Sequence, residues 1–459
     1  MSNKKAPWYD GQGSQLPASD RTLKQTKEAI VMNYTQNQKI SQISSHTLII
    51  GVDIAKFKHV ARAQDFRGVD LGKPLTFENN KEGFDGFTQW CQQIMLNNGC
   101  SEFIVGMEPT GQYWLNLAHY LKDHDIPFGV VNPLHVKKSK ELDDNSPTKN
   151  DVKDAKVIAQ LVKDGRYAVP NIPQGVYAEL REAMKIRDLL TTDLQAVQGR
   201  VHNWLDRYFP EFLTVFKDWE GKSALHILRL NLLPHELLEV SDEDLLTYLR
   251  IAAKRGVGLS RIRSLKEAAS CSVGIRQGID MAKLEIVILL DQYEMIKNKF
   301  EELDSKIDAL LQQVPSVSRM LAIRGVGKDT VAGFLAEVGD LNNYTHPKQI
   351  IKLAGLNLRE NTSGKHKGQT KITKRGRKKL RALLFRVIMP LVAKNTAFKA
   401  MHEYYTKRPE NPLKKMQSLI ALCNKLIRVL FAIGKKGCQF NEEKMLNDIP
   451  HFTSLKMVA

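Results

Sequence analysis

Four acidic residues of this chain have the type and spacing to work together on phosphorus. Asp53 ends the short, apolar, β-branched run Leu48-Ile49-Ile50-Gly51-Val52, which reads as a buried strand. Glu108 ends a second such run, Phe103-Ile104-Val105-Gly106-Met107, and is followed by the breaker Pro109. Asp151 and Asp154 are three apart in a segment that reads as helix, so both carboxylates share a face. Acids delivered by two strand ends and one helix suit a pair of Mg²⁺ ions about 4 Å apart, the arrangement for displacement at phosphorus. Mn²⁺ is able to substitute in such a site. Any one of these acids alone is equally a solvated surface residue; the ordered set carries the inference.

The elements that must position them follow from the pattern around them. Residues 1–46 are polar and rich in Gly, Ser, Gln and Lys, which predicts a mobile extension with a short helix near Leu23–Met32. From 47 to 170, strands are expected near 48–54, 58–64, 74–78, 103–107 and 128–132. Helices are expected near 81–97, 112–124 and 150–164. Three leading strands followed by alternating helices and strands predict a mixed sheet flanked by helices, in the order of an α/β RNase H-like (RuvC-like) domain. His59, His119, His124 and His135 fall in or beside this region and read as surface or packing residues. Tyr113 and Trp114 read as core, and Lys149 stands where it could approach a phosphate beside the acids.

Farther on, the apolar period changes. Leu190, Leu194, Val197, Val201, Trp204 and Tyr208 follow a four-and-three spacing, which Ile286, Leu289, Tyr293, Ile296, Phe300, Leu303, Ile307, Leu310 and Val314 repeat. Residues 176–315 are therefore expected to form a long antiparallel coiled-coil arm, with 211–280 as a helical insertion at its tip. A plain bundle core is the alternative. Residues 316–440 read as an all-α basic domain, and 441–459 as a tail. This domain opens with Gly325-Val326-Gly327-Lys328 before a helix, either a helix-hairpin-helix-like phosphate grip that includes Lys328 or a simple interhelical turn. The spacing of a P-loop is missing.

Charge narrows the partner. A net charge of +18 points to a polyanion, nucleic acid or an acidic membrane surface. No apolar run approaches the length of a membrane span, and Met1-Ser2-Asn3-Lys4-Lys5 leads into no apolar signal region, so nucleic acid and a cytoplasmic, nucleoid-associated location are expected. Cys91, Cys100, Cys271, Cys423 and Cys438 are scattered without a CxxC pair and read as reduced thiols. The positive charge is densest at Lys365, Lys367, Lys371, Lys374, Arg375, Arg377, Lys378 and Arg381, a stretch suited to phosphate neutralisation. Within it, Ser363-Gly364 is either an ordinary loop serine or a nucleophile whose alkoxide the surrounding cations stabilise.

At these residues the chain resembles the IS110-family transposases, and more narrowly their IS1111-like branch, over roughly residues 47–435. Gly51-Val52-Asp53-Ile54-Ala55-Lys56 looks like the family's first acidic strand, and Glu108-Pro109-Thr110-Gly111 with Tyr113-Trp114 like its second acidic block. Thr148-Lys149-Asn150-Asp151-Val152-Lys153-Asp154-Ala155 is similar to its paired-aspartate helix. Ser363-Gly364, Ile372-Thr373-Lys374-Arg375-Gly376 and Leu380-Arg381 resemble its serine block. The resemblance implies Mg²⁺ at Asp53, Glu108, Asp151 and Asp154, and Ser363 as the nucleophile of a covalent phosphoserine–DNA intermediate. It also implies a homo-oligomer, dimer or tetramer, in which one protomer's acids work with another's serine, and a structured guide RNA that pairs with donor and target DNA. Leu358 stands where the family often has proline, and the extension before residue 47 has no family counterpart.

Three readings follow: an RNA-guided, serine-dependent transposase or recombinase, a RuvC-like nuclease that hydrolyses branched DNA, and a non-catalytic nucleic-acid-binding protein. The last gains nothing from acids facing phosphates, which would repel without metal.

Overall fold

Leu48, Ile49, Ile50 and Val52 are completely buried, which is the fate of a near-continuous apolar run when helices cover both faces of its strand. They form β1 (Thr47–Asp53). The computed structural model describes residues 35–143, 150–252, 258–359, 362–363, 366–368, 370–447 and 449. The chain divides into two compact units between Ile172 and Pro173. The helix expected near Leu23–Met32, and Lys149 and Lys365, lie outside the described residues.

In the first unit β1 is joined by β2 (Lys58–Gln64), β3 (Asp70–Glu78), β4 (Glu102–Met107), β5 (Phe128–Val131) and β6 (Tyr167–Ala168), in sheet order β3-β2-β1-β4-β5-β6. The pairs β1–β2, β2–β3 and β5–β6 are antiparallel; β1–β4 and β4–β5 are parallel. The helices are α1 (Gln36–Ser41), α2 (Lys81–Asn98), α3 (Trp114–Asp123), α4 (Pro133–Asp143) and α5 (Asp151–Lys163). This is the mixed, helix-flanked sheet that the strand order predicts.

Alternation along β1 assigns its two faces. Leu48, Ile50 and Val52 join Phe84, Phe87, Cys91, Leu117 and Leu121 in the core under α2 and α3. Ile49 points the other way, into a smaller core with Val136, Ile158 and Val162. On that second face Gly51 pairs with Gly106, and Gly106 with Gly129, so three glycines lie side by side across the sheet. A methyl group at Gly51 would sit 2.0 Å from the Ala155 carbonyl oxygen and 2.4 Å from the Ala159 nitrogen; at Gly106 it would sit 2.2 Å from a Val162 methyl. Gly51 and Gly106 form a trough, and α5 lies in it; a methyl group at Gly129 would instead sit 2.3 Å from the Tyr167 ring.

Two parts of this unit depart from expectation. The segment 35–46 is no free extension. Thr35 caps α1 reciprocally with Gln38, and the Gln36 side-chain amide donates to the Asp164 carbonyl at 2.8 Å. The Lys39 ammonium donates to Tyr167 O at 2.5 Å, while Ile43 packs on the smaller core. Helix α4 was not expected because it has no apolar stripe; among the described residues Val136 is the one it buries in the smaller core.

The second unit begins with α6 (Val176–Tyr208). Five helices follow, α7 (Phe212–Val215), α8 (Lys222–Arg229), α9 (Pro234–Glu239), α10 (Asp242–Ala252) and α11 (Leu259–Ser270), before α12 (Ile279–Gln312). Helices α6 and α12 run antiparallel: Arg207 pairs with Glu285 at 2.8 Å and Arg187 with Asp304, and Trp204 Nε1 donates to Ala282 O at 2.8 Å. Their heptad residues do not form one free-standing seam. Val197, Val201, Trp204, Ile286, Leu289, Tyr293 and Ile296 join the core of the insertion with Phe212, Trp219, Leu237 and Leu265. Leu180, Leu303, Ile307 and Leu311 instead enter the core of the C-terminal helices.

Those helices are α13 (Val317–Leu321), α14 (Lys328–Val338), α15 (Pro347–Leu353), α16 (Lys378–Lys394), α17 (Thr396–Lys407), α18 (Lys415–Lys436) and α19 (Glu442–Leu446). Helix α18 is apolar and long enough to cross a membrane by composition alone, contrary to the reading of the sequence. Its Leu422, Cys423, Leu426, Ile427 and Leu430 are completely buried in the C-terminal core, which accounts for the apolarity. The region is also not all-α. Strands β7 (Leu358–Arg359) and β10 (Lys371–Ile372) pair antiparallel, as do β8 (Thr362–Ser363) and β9 (His366–Lys367). Two-residue strands are too short to carry an apolar period for a sequence reading to find.

The trough makes a sharp prediction. Gly51→Ala should lower stability by about 3 kcal/mol or more, because the clash is with helix backbone that cannot rotate away. Gly86→Ala, on α2 with nothing within 4 Å of the new methyl, should raise stability by about 0.5–1 kcal/mol. Denaturant midpoints of the two variants measure both; a neutral Gly51→Ala would mean that α5 does not lie in the trough.

Candidate active site

Asp53 is the last residue of β1, and Glu108 follows the last residue of β4. Since Val52 is paired with Met107 across the parallel ladder, the next residues, Asp53 and Glu108, stand side by side at the end of the pair. Each acid stands two positions beyond a trough glycine, Gly51 or Gly106, so period-two alternation puts both on the face that α5 covers. Sequence and sheet together fix this half of the site.

Helix α5 supplies the other half. Asn150 caps it by accepting from the Val152 N–H at 3.0 Å, and Asp151 and Asp154 in the first turn complement the positive end of the helix dipole. Ala155, Ile158, Ala159 and Val162 are buried. Asp154 belongs to the same face and is only 7% exposed, whereas Asp151 is exposed. Asp53 and Glu108 are half-buried.

The electrostatics show the four acids to be neighbours. Burial pushes the Asp53 carboxyl up to about 6, and the charges of Asp154, Asp151 and Glu108 push it in the same direction. Burial also raises Glu108, with Asp154 adding to it. Among the described residues Lys140 opposes them. Lys140 forms an ion pair with Asp154, and its charge lowers both Asp53 and Glu108. Lys140 escaped the sequence reading because α4 escaped it. The signal was present: Val136 and Lys140 are four apart, so anchoring Val136 in the smaller core turns Lys140 toward the acids one turn later.

Among the described residues no three acidic, histidine or cysteine side chains are drawn tightly enough together to enclose an ion. The donor set nonetheless suits a hard divalent cation. It is all oxygen, and the mutual repulsion of carboxylates is what a double positive charge relieves.

The histidines contribute nothing to this cluster. His59 is completely buried and stacks on Phe84 with ring centroids 6.2 Å apart, and burial lowers its pKa. His119, His124 and His135 are exposed. Tyr113 and Trp114 pack against the core under α2 and α3.

In the second unit the backbone of Ser363 pairs with that of His366 near the end of the small β-ribbon. The legs of the ribbon are clamped at its base. Gly355 has φ +66 and accepts at its carbonyl from the Lys374 N–H at 3.0 Å. Thr373 Oγ1 donates to Asn357 Oδ1 at 2.7 Å. A methyl group at Gly376 would lie 2.4 Å from the Leu353 carbonyl oxygen. Arg381 donates to the carbonyls of Ala354 and Lys374 at 2.9 and 3.3 Å, and Arg377 to the carbonyl of Glu337. These two arginines, read as phosphate contacts, thus hold the ribbon to the helices. Lys328 pairs with Asp308, and Gly325, with φ +98, turns the chain between α13 and α14 against Leu391. Lys371, Lys374, Arg375 and Lys378 are exposed; Lys367 lies on β9.

Both halves of this arrangement match known proteins. Residues 50–210 fit the family model of the IS110 DEDD transposases, and residues 317–405 that of the IS116/IS110/IS902 transposase family. The chain belongs to the IS110 family of transposases. It is 26% identical over 401 residues to the pilin gene-inverting protein of Moraxella bovis, covering 86% of this chain and 97% of that protein. It is 25% identical over 395 residues to the transposase for insertion sequence element IS1111A of Coxiella burnetii, covering 84% and 89%. Family membership makes the first unit a DEDD domain of RNase H-like fold.

The raised Asp53 has a consequence for stability. Its folded pKa of about 6 exceeds the ordinary 3.8, so its stabilising contribution is complete below about pH 4 and is lost as pH rises through about 6. Glu108 acts in the same direction. Asp53→Asn should therefore stabilise the metal-free protein above pH 7, by on the order of 1 kcal/mol once solvent screening is allowed for. Denaturation in chelator from pH 4 to 8 tests this; parallel pH profiles for variant and wild type would show that Asp53 is not repelled.

Proposed function

We propose that this transposase exchanges strands between a donor and a target DNA under the guidance of a structured RNA, with Ser363 as nucleophile and a Mg²⁺-binding acidic site. The observation that carries the reading is the glycine trough, which brings the Asp151/Asp154 turn against the paired strand ends of Asp53 and Glu108. Asp53, Glu108, Asp151 and Asp154 would hold Mg²⁺, probed equally well with Mn²⁺, and the ions would neutralise charge developing on the scissile phosphate.

Ser363 Oγ would attack phosphorus. An ester bond to serine forms, the bond from phosphorus to the leaving sugar oxygen breaks, and that oxygen takes up a proton as a free hydroxyl. The phosphoserine link conserves the energy of the phosphodiester, so a strand end from the other DNA can reverse the step and rejoin. Exposed Lys371, Lys374, Arg375 and Lys378 around the clamped ribbon favour the phosphate's approach and the charge on the attacking oxygen. In this reading 47–170 is the acidic catalytic domain and 316–440 the serine-bearing domain, with 176–315 as an arm for assembling protomers. The charge of +18 suits RNA as well as DNA, and the place of action is the nucleoid.

The test uses protein expressed with the noncoding DNA that flanks its gene, incubated with donor and target DNA and Mg²⁺. Denaturing gels should show a covalent protein–DNA adduct, lost by at least about a hundredfold in both Ser363→Ala and Asp151→Ala. Cleavage without an adduct, surviving Ser363→Ala, would identify a metal-dependent nuclease with water as nucleophile. Full function in Asp53→Asn would mean a binding protein. Replacing Lys374, Arg375 and Lys378 by alanine should weaken binding to all DNA sequences alike and flatten the salt dependence by about one unit of slope per lost contact.

A further inference from the structure

Four carboxylates meet where the helix crosses the strand ends; burial first, and then the charges of Asp154, Asp151 and Glu108, raise the Asp53 carboxyl. Something must hold them together before a metal arrives. Among the described residues, Lys140 is the cation whose charge lowers both Asp53 and Glu108, and it is ion-paired with Asp154, which is 7% exposed. Its own position is set by packing. Helix α4 is fixed at Val136, which is 1% exposed and lies with Val157, Ile158 and Leu161 of α5. The start of α4 is fixed at Asn132, whose side chain accepts from the Leu134 N–H at 2.9 Å.

We propose that Lys140 is an exchangeable placeholder for the divalent cation. In the metal-free protein its ammonium occupies the Asp154 carboxylate and balances the cluster; a divalent cation takes the same oxygen and expels it. The ammonium and a divalent cation held at the same carboxylate repel each other, which favours one or the other there. The exchange keeps the acidic domain folded without metal and makes metal binding competitive with an internal ion. The inference rests on the acidic cluster being the divalent site.

The experiment uses the full chain, stripped with chelator and titrated with Mn²⁺. A short pulse of an amine-acylating reagent, read by peptide mass spectrometry, reports the accessibility of Lys140 against exposed Lys73. Lys140 should label several-fold more slowly than Lys73 without metal and should approach it at saturating Mn²⁺. In parallel, Lys140→Met should bind Mn²⁺ about tenfold more tightly in calorimetry, since no ammonium has to be displaced. Its metal-free melting temperature should fall, and Lys140→Arg should restore it. Labelling of Lys140 that is unaffected by bound Mn²⁺, or unchanged affinity in Lys140→Met, overturns the placeholder and leaves the divalent site standing. Mn²⁺ that fails to bind wild type, or binds Asp154→Asn equally well, removes the divalent site and the placeholder with it. Should Lys140→Met not fold, the wild-type labelling decides alone.

Discussion

The acidic domain depends on one close approach, that of helix Asp151–Lys163 to the sheet. An ordinary helix on an ordinary sheet is held off by side chains on both surfaces. Here Gly51 and Gly106 stand side by side on neighbouring strands; Ala155 and Ala159 present backbone to Gly51, and Val162 and Ile158 fill the space over Gly106. The approach brings the first turn of the helix to the strand ends, where Asp53 and Glu108 already lie side by side. Each of those acids is two residues past one of these glycines. The pattern glycine, apolar residue, acid therefore does two things at once: it admits the helix, and it aims a carboxylate at the helix it admits.

Bringing four like charges together has consequences that packing must absorb. Burial and the neighbouring carboxylates raise Asp53, and burial raises Glu108, so the site favours proton, ammonium or metal over a bare cluster of anions. The fold provides one such partner itself, Lys140, on a helix anchored to the same small core that seats the aspartate helix. Structural and chemical demands meet in that core. It positions the acids, and it positions the charge that keeps them together.

The second unit solves a different problem, that of holding a short polar ribbon steady. The sequence around Ser363 holds no apolar stripe of its own, and the strands there pair two residues at a time. Order is imposed at the base, where Gly355 and Gly376 let two chain segments pass in contact and Arg381 bridges carbonyls from both. Much of the positive charge that reads as a phosphate-binding run divides accordingly: Arg377 and Arg381 face inward to carbonyls, whereas Lys374, Arg375 and Lys378 face solvent. The long helices likewise divide their heptads between two globular cores instead of one seam.

The sequence by itself determined the acids, the strand order and the family. Apolar runs that end in a carboxylate, and a three-residue spacing on a helix, are local patterns that survive without knowledge of their neighbours. Five strands of the sheet and three of its helices were legible for that reason. Tertiary structure decided what local pattern cannot carry. Helix Pro133–Asp143 buries Val136 but carries no apolar period to read, and with it the lysine opposite Asp154 went unseen. That Gly51 and Gly106 face each other depends on the register of two strands about fifty residues apart. Which arginines hold the ribbon and which face solvent depends on carbonyls up to forty residues distant. A charge is written in the sequence; its partner is chosen only when the chain folds.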